Sequence, residues 1–166
     1  METMTGQIEA VIGVWFKDGQ TFYVKRSDRM ENYPNVWSLL SIQFNPEELP
    51  DFTELGNVQE VMDRMSKERL GGVPVRLIHY LKSARCYDNP MHVPVTLHLY
   101  QIELEGEPEL NPEYYVDCKW FTPEEYMKVS ENATCGLCMR MWSDYCYQHG
   151  LSKTRFAPHV RLDDEQ

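Results

Sequence analysis

The sequence predicts an α+β domain. Apolar, β-branched runs bounded by turn residues recur along the chain and read as strands. Two stretches carry helix signals, one by apolar spacing and one by capping residues, and a third helix is expected near the C-terminus. The resulting order, β-β-β-α-β-β-β-α-α, mixes the two without regular alternation, which argues against a doubly wound parallel sheet. At 166 residues, 42% hydrophobic and 12% aromatic, the chain is one domain by default and has the apolar content to bury a core.

Ile8–Phe16 (IEAVIGVWF) reads as a buried strand. Lys17-Asp18-Gly19-Gln20 is a hairpin turn, because Asp-Gly supplies the backbone angles a tight turn requires, and Thr21–Lys25 is the returning strand. A loop over Ser27–Pro34 leads to a short apolar segment, Val36–Ile42. Residues 43–56 are loop-like, with Pro46, Pro50 and the acids Glu47, Glu48, Asp51 and Glu54. Asn57 fits a helix N-cap. Val58, Val61, Met62 and Met65 then form an apolar stripe, and Gly71-Gly72 followed by Pro74 stops the helix.

Val73–Leu81 and Val93–Leu104 are long strand candidates, Gly106–Pro112 a turn region, and Val116–Phe121 a further strand. Thr122-Pro123-Glu124-Glu125 starts a helix: a capping threonine, proline at the first helical position, then acids at the positive helix end. A last helix is expected over Thr134–Gln148, followed by a polar tail ending Asp163-Asp164-Glu165-Gln166.

The formal net charge is −10. Binding to nucleic-acid polymers draws on lysine and arginine neutralising phosphates, and no basic run is present, so that class is excluded. An anionic membrane surface is disfavoured for the same reason. No apolar run is long enough for a membrane-spanning helix. Residues 1–7 have neither a basic segment nor an apolar core, so they do not read as a secretory signal. The five cysteines, an odd number, suggest reduced thiols and a cytoplasmic protein. The surplus of carboxylates suits a divalent metal, since hard cations take oxygen ligands.

Two segments resemble the Nudix superfamily. Tyr23-Val24-Lys25-Arg26-Ser27 and Tyr33-Pro34-Asn35-Val36-Trp37-Ser38-Leu39-Leu40 stand where that family has a basic strand and a loop leading to its Trp-x-Leu-Pro-Gly-Gly turn. Val116–Tyr126 is similar to the family's late strand and the capped helix after it. The resemblance spans residues 8–130. It implies an α/β/α sandwich with a mixed sheet over residues 1–130, a C-terminal helical extension over 131–166 packed on the same domain, and hydrolysis of nucleoside diphosphates linked to another moiety. It also makes a homodimer possible.

The catalytic box departs from the family pattern, G-x5-E-x7-R-E-U-x-E-E-x-G-U, in which U is aliphatic and the glutamates converge on Mg²⁺ or Mn²⁺. Setting its late glycine on Gly71 puts Arg64 at the arginine and Glu68 at the first paired glutamate, but Met65 and Arg69 at the other two helical glutamates. Setting it on Gly72 is worse, with Met65, Ser66, Arg69 and Leu70 at the four positions. Ser41-Ile42 replaces the leading Gly-Gly, and the following stretch is longer than the family's. The early glutamate becomes Glu48 when counted forward and Gly56 when counted back. A thioether is a poor ligand for a hard cation, and arginine holds a fixed charge of the metal's own sign. Losing both carboxylates should cost several orders of magnitude in metal-assisted rate.

The resemblance therefore implies a Nudix-like protein with a degenerate box, binding a nucleotide or diphosphate-type ligand or a protein partner with little hydrolysis. On that reading Lys25, Arg26 and Arg64 are candidates to meet phosphate, and Tyr33 or Trp37 to stack a base. The alternative is an active Mg²⁺- or Mn²⁺-dependent hydrolase using Glu68 and Arg64 with Glu48, Glu54 or Glu60. A third reading is an interaction protein with no ligand. Glu60, Arg64 and Glu68 also make sense as a solvated ion-pair stripe. His79, His92 and His98, on or beside the long strands, are candidate general bases or structural histidines. Cys135, Cys138, Cys146 and His149 have the atoms for a tetrahedral zinc site, the alternative being buried thiols packed as small hydrophobes. Trp142, Tyr145 and Tyr147 make the last helix adhesive, toward the sandwich or a second subunit.

Overall fold

The computed structural model describes residues 8–31, 33–44, 55–86, 93–129 and 136–156. Side chains alternate across a strand, and β1 (Ile8–Val14) uses both of its faces. Ala10, Ile12 and Val14 enter one apolar core, and Val11 enters another. β1 is therefore central. It pairs parallel with β7 (Val95–Leu104) and antiparallel with β5 (Leu40–Phe44), while β6 (Val75–Cys86) pairs antiparallel with β7. The order β5-β1-β7-β6 makes one mixed sheet. The second sheet is built on β3 (Gln20–Arg26), which pairs antiparallel with β2 (Phe16–Lys17), β4 (Trp37–Ser38) and β8 (Tyr115–Phe121).

Helices cover both faces of the mixed sheet. Val58, Val61, Met62 and Met65 of α1 (Leu55–Arg69) pack with Val11, Ile42 and Ile102 on one side. Met139, Trp142 and Cys146 of α3 (Gly136–Gln148) pack with Ile12, Leu97 and Leu99 on the other. The approach of α1 depends on Gly13, where a Cβ would lie 2.6 Å from Ile102 Cδ1 and 3.4 Å from Met62 Sδ. The short helix α2 (Pro123–Val129) is closed by a capping box: Glu125 N–H donates to Thr122 Oγ1 at 3.1 Å, and Thr122 N–H donates to Glu125 Oε1 at 2.8 Å. This is an α/β/α sandwich with a mixed sheet, as the sequence leads one to expect.

Two expected single strands are each divided. Ile8–Phe16 breaks at Trp15, and Val36–Ile42 breaks at Leu39. In both places the chain crosses from one sheet to the other, so continuous apolar character hides a change of pairing partner. α1 begins at Leu55, which puts Asn57 inside the helix rather than at its cap. β6 runs past Leu81 to Cys86, because β7 offers a partner as far as Val95. The end of α1 is as expected: Gly72 N–H donates to the Ser66 carbonyl at 2.9 Å, and Gly71 has φ of +74°. No described helix is long and apolar enough to cross a membrane. The acids Glu47, Glu48, Asp51 and Glu54, together with His92, Cys135 and the tail over 157–166, lie outside the described residues.

Candidate functional site around Arg69

The last turn of α1 meets the starts of β8 and β5. Arg69 is directed inward there, its side chain 12% exposed. One Nη1 donates to the Ser41 carbonyl at 2.8 Å and to the Tyr115 hydroxyl at 3.1 Å. The guanidinium also lies over the Tyr114 ring, 4.5 Å from its centroid. Its Nε is 3.4 Å from Glu68 Oε1, a long contact. Burial works against the charge, but the Tyr115 hydroxyl and the Glu68 carboxylate outweigh it, so the Arg69 pKa is raised further. The Tyr114 phenol is pushed up as well, by desolvation first and then by the Glu68 carboxylate.

The other residues that the resemblance sets against the box lie along the same helix. Met65 is fully buried in the core against α1's face of the sheet. Glu68 is exposed, its side chain 39% accessible. Arg64 Nη2 donates to the Gln43 carbonyl at 3.0 Å and ties α1 to β5. With Glu60, Asp63, Gln59 and Lys67, Arg64 lines an open groove of about 430 Å³ along the outer face of α1. Of the three residues that the resemblance sets against helical glutamates, Glu68 carries a carboxylate, Met65 a buried thioether and Arg69 a half-buried cation. That donor set does not fit Mg²⁺, which needs several oxygens converging on one point. Among the described residues, no three His, Cys, Asp or Glu side chains come together for a metal ion.

The proposed ligand-contacting residues lie on the neighbouring β3–β4 connection. Arg26 is buried, and its Nε donates to the Tyr33 carbonyl at 3.0 Å, so it braces that loop. Arg26 pairs in register with Tyr115, and Ser27 N–H donates to the Tyr114 carbonyl at 2.8 Å, which links this loop to the Arg69 cluster. Trp37 pairs with Lys25 across the sheet and packs edge-on against Phe121, ring centroids 5.1 Å apart. The Tyr126 hydroxyl donates to the Trp37 carbonyl at 2.9 Å. Tyr33 has φ of +53° and packs at the margin of the core. The sequence reading missed Tyr114, Tyr115 and the Ser41 carbonyl as partners of Arg69, since nothing in the local pattern links strands so distant in the chain to that helix end.

Cys138 and Cys146 are drawn into the core. They are buried with Tyr23, Trp142 and Met139, and burial pushes the Cys146 thiol up to about 12. The His149 ring stacks on Tyr145, centroids 4.0 Å apart. Trp142 packs inward against Phe16, and Tyr147 remains exposed.

No protein-family model matches the chain, and no curated protein matches it. Solved structures do. A Nudix hydrolase from Nitrosomonas europaea superposes with a TM-score of 0.64 at 13% identity, covering 86% of this chain and 88% of that one. A MutT protein from Methanosarcina mazei Go1 gives 0.62 at 15% identity, covering 86% and 95%.

The fold is Nudix-like.

The C-terminal domain of mouse MUTYH, solved with human PCNA, has a TM-score of 0.53 at 19% identity over 87% of this chain and 90% of that one. The residue turned toward β5 and β8 at the end of α1 is Arg69.

Proposed function

We propose that this Nudix-like domain binds a nucleotide or diphosphate-type ligand with little or no metal-assisted hydrolysis. The observation that carries this reading is Arg69. A guanidinium held by Ser41 and Tyr115 places a fixed positive charge at the helix end where the box pattern has a metal-binding carboxylate. A permanent cation attracts phosphate, but it does not generate hydroxide from bound water as a metal ion does. Arg29, exposed and paired with Glu113, and Lys25 add charge on adjoining elements.

The test is a panel of nucleoside diphosphates and inorganic pyrophosphate, read by melting temperature and by phosphate release. The expected result is a rise in melting temperature for at least one compound, as large in EDTA as in Mg²⁺ or Mn²⁺. Arg69→Ala and Arg69→Lys should both weaken that binding, by about tenfold or more for alanine. Turnover that requires Mg²⁺ or Mn²⁺ and disappears in Glu68→Gln would overturn the reading in favour of an active hydrolase. No thermal response to any compound would favour a protein partner instead.

A further inference from the structure

Away from Arg69, four side chains form one hydrogen-bonded line across three strands of the mixed sheet. His98 on β7 stands opposite Ser83 on β6 and beside Val11 on β1. Glu9, two residues before Val11, projects to the same face because strand side chains alternate. His98 Nε2 is 2.8 Å from Glu9 Oε1, and His98 Nδ1 is 2.7 Å from Ser83 Oγ. The Tyr80 hydroxyl is 2.8 Å from Ser83 Oγ. The Tyr80 ring is held edge-on against Tyr100, centroids 5.3 Å apart.

Proton positions follow from the chemistry of the groups. A carboxylate only accepts, so Glu9 takes the hydrogen on His98 Nε2. In the neutral ring that leaves Nδ1 as the lone-pair nitrogen, and Ser83 donates to it. Tyr80 then donates to Ser83 Oγ. The side chains of His98 and Glu9 are 15% and 19% exposed, whereas Ser83 is exposed to solvent. A shielded base, oriented by a carboxylate and bonded to an accessible hydroxyl, is the arrangement that activates a serine. A phenol hydroxyl beside the nucleophile is also placed to donate to an oxyanion.

The geometry points to a second, ester-cleaving site in this protein, with Ser83 as nucleophile, His98 as base, Tyr80 as oxyanion donor and Glu9 as a positioning residue. Ser83 Oγ adds to the carbonyl carbon of a small carboxylic ester while its proton passes to His98 Nδ1. The carbonyl electron pair moves onto oxygen, where Tyr80 donates a hydrogen bond. Collapse breaks the ester C–O bond. The departing alkoxide takes the proton from His98 and leaves as the alcohol, with the acyl group on Ser83. Water then adds to that acyl carbon and gives its proton to His98. Collapse releases the carboxylic acid, and the His98 proton returns to Ser83. No electrons change hands, and water is the only co-reactant. Glu9 holds the tautomer and stabilises the imidazolium formed at each addition.

The full chain, treated with a fluorophosphonate probe and with p-nitrophenyl acetate, tests this site. A single probe adduct is expected, mapped to Ser83 by peptide mass and absent from Ser83→Ala. Labelling and p-nitrophenol release should fall about a hundredfold in His98→Gln. Glu9→Gln should slow both by about tenfold and displace the pH profile, and Glu9→Asp should recover part of the rate. A melting temperature near that of the unaltered chain for Ser83→Ala separates loss of the hydroxyl from loss of the fold. No adduct at Ser83, or an adduct that forms equally fast in His98→Gln, would overturn the proposal and leave a structural ladder of polar side chains. Either result is independent of ligand binding at Arg69, because the two clusters share no residue.

Discussion

The Arg69 guanidinium donates to the Ser41 carbonyl at 2.8 Å, joining the end of α1 to the start of β5. The same group bonds the Tyr115 hydroxyl and covers the Tyr114 ring, so one side chain closes the junction of a helix and two strands. Arg69→Ala should lower unfolding free energy by about 2–3 kcal/mol, measured by urea denaturation, through lost charged hydrogen bonds and ring contact. Arg69→Lys keeps the charge but loses the planar fork, so it should cost about half as much. Equal stability of all three proteins would mean that the junction does not depend on this residue.

Gly71 closes α1 with φ of +74°, and a Cβ there would lie 2.7 Å from Glu109 Cβ and 3.1 Å from the Glu109 carbonyl oxygen. Gly72 has φ of +85°, but a Cβ would have open space around it. Both alanine variants incur the left-handed backbone penalty of about 1–2 kcal/mol, and only Gly71→Ala adds a steric clash. Gly71→Ala should therefore unfold at lower urea concentration than Gly72→Ala.

Alkaline pH should destabilise the fold. Burial pushes the Cys146 thiol from 9.0 to about 12, and desolvation, with Cys146 adding to it, raises the Tyr23 phenol well above 10.0. Both groups are neutral when protonated, and both hold the proton more tightly in the folded state. Their contribution is fully present below about pH 9, where neither state ionises. As pH rises toward about 12 the unfolded chain releases the Cys146 proton first, and stability falls by about 1.4 kcal/mol per pH unit for that group. Urea unfolding at pH 8 and above should show this slope, and Cys146→Ala should reduce it.

Asp144 is buried on α3 and accepts from Arg140 Nε at 2.8 Å and from Arg155 Nε at 2.9 Å. The Arg140 side chain is 10% exposed, so removing Asp144 takes a carboxylate partner from a guanidinium held largely away from water. Asp144→Ala should cost about 3 kcal/mol or more, and Arg155→Ala much less because Arg155 is half-exposed. Thermal melts of the two variants should differ clearly.

Much of the fold was legible along the chain. The Asp-Gly hairpin, the Gly71-Gly72 stop and the Thr122–Glu125 capping box are local devices, and each is seen where the local chemistry puts it. The breaks at Trp15 and Leu39 were not legible, because a change of partner sheet leaves an apolar run unchanged. The candidate site divides the same way. The resemblance set Met65 and Arg69 against two carboxylates of the box by counting along the chain. That Arg69 turns inward could not be read that way, since its partners Ser41 and Tyr115 come from strands far away in the chain. His98 was visible as a possible base, but Glu9 and Ser83 were not, because strand register alone brings them to its two nitrogens.

By itself, the sequence determined residue identity at short range: which turns and caps form, and which faces are apolar. The tertiary structure decided what those residues meet. It set a guanidinium between two distant strands, buried the Cys138 and Cys146 thiols, and aligned a carboxylate, an imidazole and a hydroxyl across three strands. The physical reason is one of range. Propensity and capping act over a few residues, while sheet pairing and burial bring together groups with no relation in sequence.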